Sequence, residues 1–191
     1  MNSIYTAEQV KAFEKSSFIK EGDDQRAMIE AAKRTVEVLN KDYPTSEFLI
    51  LCGPGNNGGD GYFIGIGLSE LKKSVKFIDV LGHAKKSPLC EHAFKIAEDS
   101  DFINAKTLKD ISSKTVIVDA IFGIGGRIDL GSKLEEILSD CNKFESKVAI
   151  DVPTGLDSNT GEISKACFNA DKTITFIGYK LGQRINEGKN Y

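Results

Sequence analysis

Four carboxylates, two amides and a hydroxyl stand in glycine-bearing segments, each directly after a short apolar run. Asn56, Asn57 and Asp60 lie in Cys52–Gly61, a ten-residue stretch with five glycines that follows Phe48-Leu49-Ile50-Leu51. Glycine lets a bound group approach the main chain, and the amides and carboxylate add donors and acceptors, so a nucleotide-like ligand is expected there. Asp119 opens a second such segment, running through Gly123, Gly125, Gly126 and Arg127. Exposed backbone N–H groups beside a guanidinium suit phosphate; the competing reading is a plain turn. Asp151 opens the third, Asp151-Val152-Pro153-Thr154-Gly155-Leu156-Asp157. An ionised side chain at the end of an apolar strand needs a partner or a ligand, unless it only caps the turn that follows. Asn57, Asp119 and Thr154 are hard oxygen donors that could hold a monovalent or hard divalent cation, and no zinc-ligand spacing exists. His83 and His92 lie outside all three segments. Acid–base work would therefore fall to an aspartate or to Lys180.

Gly53, Gly55 and Gly58 also satisfy the dinucleotide fingerprint, with Asp79 near the about-20-residue spacing of its ribose-binding acid. That pattern would make a nicotinamide-dependent dehydrogenase. Pro54 interrupts it, and Asp60 near the start of a phosphate-facing helix would repel a pyrophosphate. A phosphate-loop lysine is absent as well.

The elements that must position these groups alternate along the chain. Thr6 is expected to cap a first helix with Val10, Phe13 and Phe18 as its apolar positions, and a second helix runs from Asp23 or Asp24 to Asn40. Strands are expected at 48–52, 75–80, 115–120, 147–151 and 173–177. Helices at about 60–72, 88–99 and 132–142 lie between them, the last capped by Ser132. One more short strand near Phe102-Ile103 would fit the segment 101–113. Strands separated by helices imply an α/β fold with a mostly parallel sheet and helices on both faces. The whole of 1–191 reads as one domain, a helical segment at about 6–40 followed by an α/β core at about 46–180. In such a sheet ligands bind beyond the carboxyl ends of the strands, where all three glycine-bearing segments fall.

Composition narrows the class. A chain of 191 residues with 28% charged and 40% hydrophobic residues suits a single soluble domain. A net charge of −3 gives no basis for a nucleic-acid surface. Cys52, Cys90, Cys141 and Cys167 form no C-x-x-C pair, which favours a reducing, cytoplasmic setting over a disulfide framework. The N-terminus lacks a signal-peptide pattern, and no apolar run reaches the ~20 residues of a membrane span.

Gly53-Pro54-Gly55-Asn56-Asn57-Gly58-Gly59-Asp60-Gly61, Val118-Asp119-Ala120-Ile121-Phe122-Gly123 and Ala149-Ile150-Asp151-Val152-Pro153-Thr154-Gly155-Leu156-Asp157 together resemble the NAD(P)H-hydrate epimerases, the YjeF N-terminal domain family. The opening Tyr5-Thr6-Ala7-Glu8-Gln9 and the late Thr173-Ile174-Thr175-Phe176 with Lys180 extend the resemblance over nearly the whole chain. It implies a Rossmann-like three-layer α/β/α sandwich, a homodimer, and an isomerase that repairs a damaged cofactor. Such enzymes interconvert the R and S forms of NADH or NADPH hydrated at C6, for a partner dehydratase that restores the cofactor and is fused to the epimerase in some members. The resemblance places the hydrate against Asn56, Asn57, Gly58, Gly59 and Asp60, against Gly123, Ile124, Gly125, Gly126, Arg127, Ile128 and Asp129, and against Asp151. A potassium ion falls to Asn57, Asp119 and Thr154. Asp151 is the expected acid–base group, with Lys180 as its helper. Relatives of the fold that serve as non-catalytic dimerising scaffolds supply a third reading beside epimerase and dehydrogenase. Lys33 departs from the family, which has glycine after the counterpart of Met28–Ala32.

Overall fold

The computed structural model describes residues 3–18, 20, 22–102, 105–126 and 128–191. Five strands form one parallel sheet in the order β3-β2-β4-β5-β6: β2 Phe48–Cys52, β3 Val75–Asp79, β4 Val116–Ala120, β5 Ser146–Ile150 and β6 Lys172–Ile174. Side chains on a strand alternate between faces, and this sheet divides its core accordingly. Phe48, Ile50, Cys52, Val116, Val118, Ala120, Val148 and Ile150 face one cluster, which includes Ala32, Val36 and Leu39 of α2 (Asp23–Asp42), Tyr62, Ile64 and Leu68 of α3 (Asn56–Glu70), and Cys90, Ala93 and Ala97 of α4 (Pro88–Ala97). Leu49, Leu51, Ile117 and Ala149 face the other, with Leu134, Ile137 and Leu138 of α5 (Ser132–Cys141). Every residue of β2 and β4 is buried, which is why the central strands read as unbroken apolar runs. The result is the expected three-layer α/β/α sandwich, and all pairings in the sheet are parallel.

The first helix, α1 (Ala7–Ser17), opens with a reciprocal capping box between Thr6 and Gln9. Val10 is buried, but Phe13 is 54% exposed, contrary to the amphipathic reading of this helix. The helix is placed by a feature that the pattern did not announce. Ile4–Tyr5 (β1) pairs in parallel with Tyr179–Lys180 (β7), and the backbone N–H of Ala7 donates to the Asn159 side-chain oxygen at 2.7 Å.

Four boundaries differ from the sequence reading. Helix α3 starts at Asn56 rather than near residue 60, so the two amides occupy its first turn. The N-cap of α5 is Gly131, at φ +76°, and Ser132 caps nothing. The last sheet strand covers only Lys172–Ile174, because the chain turns there into the segment that carries Lys180. Phe102 makes a single parallel bridge to Phe77, while Ile103 lies outside the described residues.

Candidate active site

Strand order reverses at β2: β3 lies on one side of it and β4 on the other. The crevice beyond the carboxyl ends of β2 and β4 is where an open α/β sheet takes its ligand. A cavity of about 410 Å³ lies there, lined by Gly55, Asn56, Asn57 and Asp60 of α3 and its approach, by Ile121–Gly125 after β4, and by Asp151 after β5. Two further walls come from far along the chain: Val10, Lys11 and Glu14 of α1, and Phe176, Ile177 and Lys180.

Asp151 is the most constrained group in this crevice. Its backbone is left-handed at φ +67°, a region that costs free energy for any residue but glycine and persists where the surroundings enforce it. The enforcing contacts are visible. Gln183 Nε2 donates to the Asp151 carbonyl at 2.9 Å, and the Asp151 N–H donates to the Ile174 carbonyl at 2.7 Å. The side chain forms an ion pair through Oδ1 with Lys180, whose own side chain is only 1% exposed. Lys180 Nζ also donates to Thr175 Oγ1 at 2.7 Å and to the Phe176 carbonyl at 2.9 Å, so its three protons have protein acceptors. Oδ2 points the other way, and a Cβ placed on Gly123 would lie 2.8 Å from it. One carboxylate oxygen is thus locked to lysine while the other faces the glycine segment after β4.

Asp119 is built differently. Its side chain is wholly buried; Oδ2 accepts from the Thr154 N–H at 2.7 Å, and Oδ1 from the Thr154 hydroxyl at 2.8 Å and the Ile121 N–H at 3.1 Å. Burial pushes its carboxyl up to about 6, against the lowering effect of those same hydrogen bonds. No lysine or arginine pairs with it among the described residues. Asn57 is buried as well: its Nδ2 donates to the Ile150 carbonyl at 3.1 Å, whereas its Oδ1 has no hydrogen-bond donor. A buried carboxylate without a cation and a buried orphan oxygen are the donor chemistry a hard cation satisfies, so the oxygens of Asn57, Asp119 and Thr154 are compatible with one.

The remaining predicted residues divide. Asn56, Asp60, Ile124 and Gly125 line the cavity, and Asn56 Oδ1 accepts from Ser87 Oγ at 2.6 Å. Gly58 and Gly59 face inward: a Cβ on Gly58 would overlap the Gly53 carbonyl, and one on Gly59 would lie 3.0 Å from the Met28 sulfur. A Cβ on Gly53 would in turn overlap the carbonyl of Ile121. These glycines let α3, its approach and the β4 loop pack backbone against backbone. Ile128 and Asp129 are exposed and Gly126 is partly buried, all three outside the cavity lining, and Arg127 lies outside the described residues. Asp79, the acid of the dinucleotide pattern, pairs instead with Lys86 at 2.7 Å, and the Lys86 ammonium sits 4.5 Å over the Phe94 ring. His92 is exposed on α4, and His83 is exposed beside a separate surface pocket. Sequence reasoning missed Glu14, Lys11, Thr175 and Gln183. The Lys11–Glu14 spacing on a capped helix was the only available signal for the first two.

The family model described as YjeF-related protein N-terminus matches residues 24–182. The chain belongs to this family. Among its relatives, the NAD(P)H-hydrate epimerase of Leuconostoc citreum is 32% identical over 190 residues, covering 97% of this chain and 84% of that protein. The bifunctional NAD(P)H-hydrate repair enzyme Nnr of Escherichia coli is 35% identical over 162 residues, covering 81% of this chain and 31% of its own length. The crystal structure of yeast ynu0 superposes with a TM-score of 0.82 at 18% identity, covering 98% of this chain and 86% of that one, a likeness of fold. In YjeF-related terms, the fold read from the sequence is the fold observed. No described helix is long and apolar enough to cross a membrane.

The YjeF-related core leaves its cysteines out of the chemistry. All four are buried and free, and burial holds the thiols of Cys90, Cys141 and Cys167 up at about 12, so none is poised as a thiolate.

Proposed function

We propose that this protein interconverts the R and S forms of C6-hydrated NADH and NADPH. The observation that carries the reading is the Asp151–Lys180 pair, held in strained backbone at the switch-point crevice and presenting one carboxylate oxygen to it. The names of the most similar relatives support the same activity and substrate.

C6 of the hydrate bears a hydroxyl beside the ring nitrogen. The nitrogen lone pair expels the protonated hydroxyl as water and leaves a planar iminium, which water re-enters from either face. Asp151 is the acid–base group: its Oδ2 takes the proton of the incoming water, and its negative charge favours the iminium. Lys180 acts through Asp151 as a positioning residue, because its protons already have protein acceptors. Asn57, Asp119 and Thr154 would hold a potassium ion, whose fixed positive charge would offset the buried Asp119 carboxylate and give the Asn57 Oδ1 a partner. Backbone N–H groups at Gly123–Gly125 give the pyrophosphate a place beside the ring.

Coupled assay with an S-specific dehydratase tests this directly. Given the R hydrate, the protein should accelerate recovery of reduced cofactor absorbance; a rate equal to spontaneous epimerisation sinks the reading. The cation is tested apart from activity. Thermal melting in potassium chloride should exceed that in tetramethylammonium chloride at equal ionic strength, and Asn57→Ala should abolish the difference.

A further inference from the structure

Two more carboxyls line the crevice, Asp60 from α3 and Glu14 from α1, and neither has a hydrogen bond or ion pair among the described residues. The cations near them are Lys11, on the same helix as Glu14, and Lys180, which is already paired with Asp151. Three carboxyls therefore share one cavity with two ammoniums, one of which, Lys180, is committed to Asp151. They cannot all be charged at low cost, since like charges in a confined site disfavour ionisation. The buried orphan oxygen of Asn57, one turn before Asp60, marks this wall as built for a ligand.

We propose that Asp60 carries the proton that leaves with the C6 hydroxyl, and that Glu14 is the positioning residue that keeps it there. The proposal rests on the epimerase reading and divides its chemistry between two groups. The environments of the carboxyls differ in the required direction: Asp60 is raised well above the ordinary carboxylate range, first by burial and then by the charges of Asp151 and Glu14. Glu14 is raised as well, by burial and by Asp151, against the opposing pull of Lys180 and Lys11. Two titratable groups in one site with different protonation states are how an acid and a base are assigned.

The step balances. Asp60 transfers its proton to the hydroxyl oxygen, the C6–O bond breaks with its electron pair, and the nitrogen lone pair forms the C=N bond. Water leaves and Asp60 is left ionised. A water entering from the other face forms the new C6–O bond and gives a proton to Asp151. The proton returns from Asp151 to Asp60 through water in the cavity that both residues line. Because the acid must be protonated, activity is present below its ionisation and falls as pH rises through it.

Infrared difference spectroscopy with isotope-labelled aspartate tests the protonation, and the dehydratase-coupled assay tests the step. At neutral pH the wild type should show a carboxylic-acid C=O band that Asp60→Asn removes. The same variant, with unchanged circular dichroism, should lose about 10²–10⁴-fold in kcat. Glu14→Gln should move both the titration of that band and the basic limb of the kcat/KM profile to lower pH, and Glu14→Asp should move them back. A wild type without the band, or Asp60→Asn within about threefold of wild type, overturns the proposal while the epimerase reading stands. Glu14→Gln leaving both titrations in place overturns the role of Glu14. A wild type that shows the band but does not accelerate epimerisation overturns the epimerase reading and the proton step with it.

Discussion

The carboxyl end of β4 and the carboxyl end of β5 each present an aspartate, and the two are built to opposite ends. Asp119 has both oxygens in hydrogen bonds from Thr154 and Ile121 and lies wholly out of solvent. Asp151 has left-handed backbone, one oxygen on Lys180 and the other directed at Gly123. A carboxylate whose lone pairs meet protein donors ties loops together; one with an acceptor left over, held in costly backbone, is available to a substrate. The residue type is the same and the strand position nearly so. What separates them is which later segment reaches each one: the loop after β5 brings a threonine N–H and hydroxyl to Asp119, and residues 180–183 bring a lysine and a glutamine to Asp151.

Asp151→Asn should break this contrast most. It removes the base and leaves Lys180 buried without its counter-ion, so kcat should fall by about 10²–10⁴. Stability should fall by about 3–5 kcal/mol, read by denaturant unfolding. Asp119→Asn should instead act first on the fold. Its amide NH₂ would confront either the Thr154 N–H or the Ile121 N–H, for a loss of about 1–3 kcal/mol. If Asp119→Asn keeps wild-type stability but loses all activity, the division between the two aspartates is wrong. Gln183→Ala sharpens the Asp151 side: it removes the donor to the Asp151 carbonyl and the acceptor of the Lys180 N–H at 2.9 Å, and should cost about 1–2 kcal/mol with a smaller loss of kcat than Asp151→Asn. Smallest of all, Thr154→Ser keeps the hydroxyl on Asp119 and should stay within about 1 kcal/mol, while Thr154→Val should not.

Most of the sheet was legible because fully buried parallel strands are continuous apolar runs bounded by turn residues, and β2 and β4 are of that kind. The start of α3 was not, because Asn56-Asn57-Gly58-Gly59 has poor helix propensity; close packing of Gly58 on Gly53 and of Gly61 against Ala120 overrides it. Asp119 and Asp151 announced themselves as charges ending apolar strands. Their different roles did not, since Asp151 takes its partners from a segment 29 to 32 residues further on. Glu14 and Lys11 reach the crevice through a two-residue strand pair, too short to leave a hydrophobic period.

That pair, Ile4–Tyr5 with Tyr179–Lys180, joins the two extremes of the described chain, and Lys180 belongs at once to the pair and to the ion pair with Asp151. Closing so long a loop is entropically costly and comes late in folding. The central sheet can therefore be complete while the crevice still lacks a wall and its ammonium. During synthesis the molecule acquires its architecture before it acquires a site, and a nick or deletion at either extremity should silence it and speed unfolding while leaving the folding rate of the central sheet nearly intact.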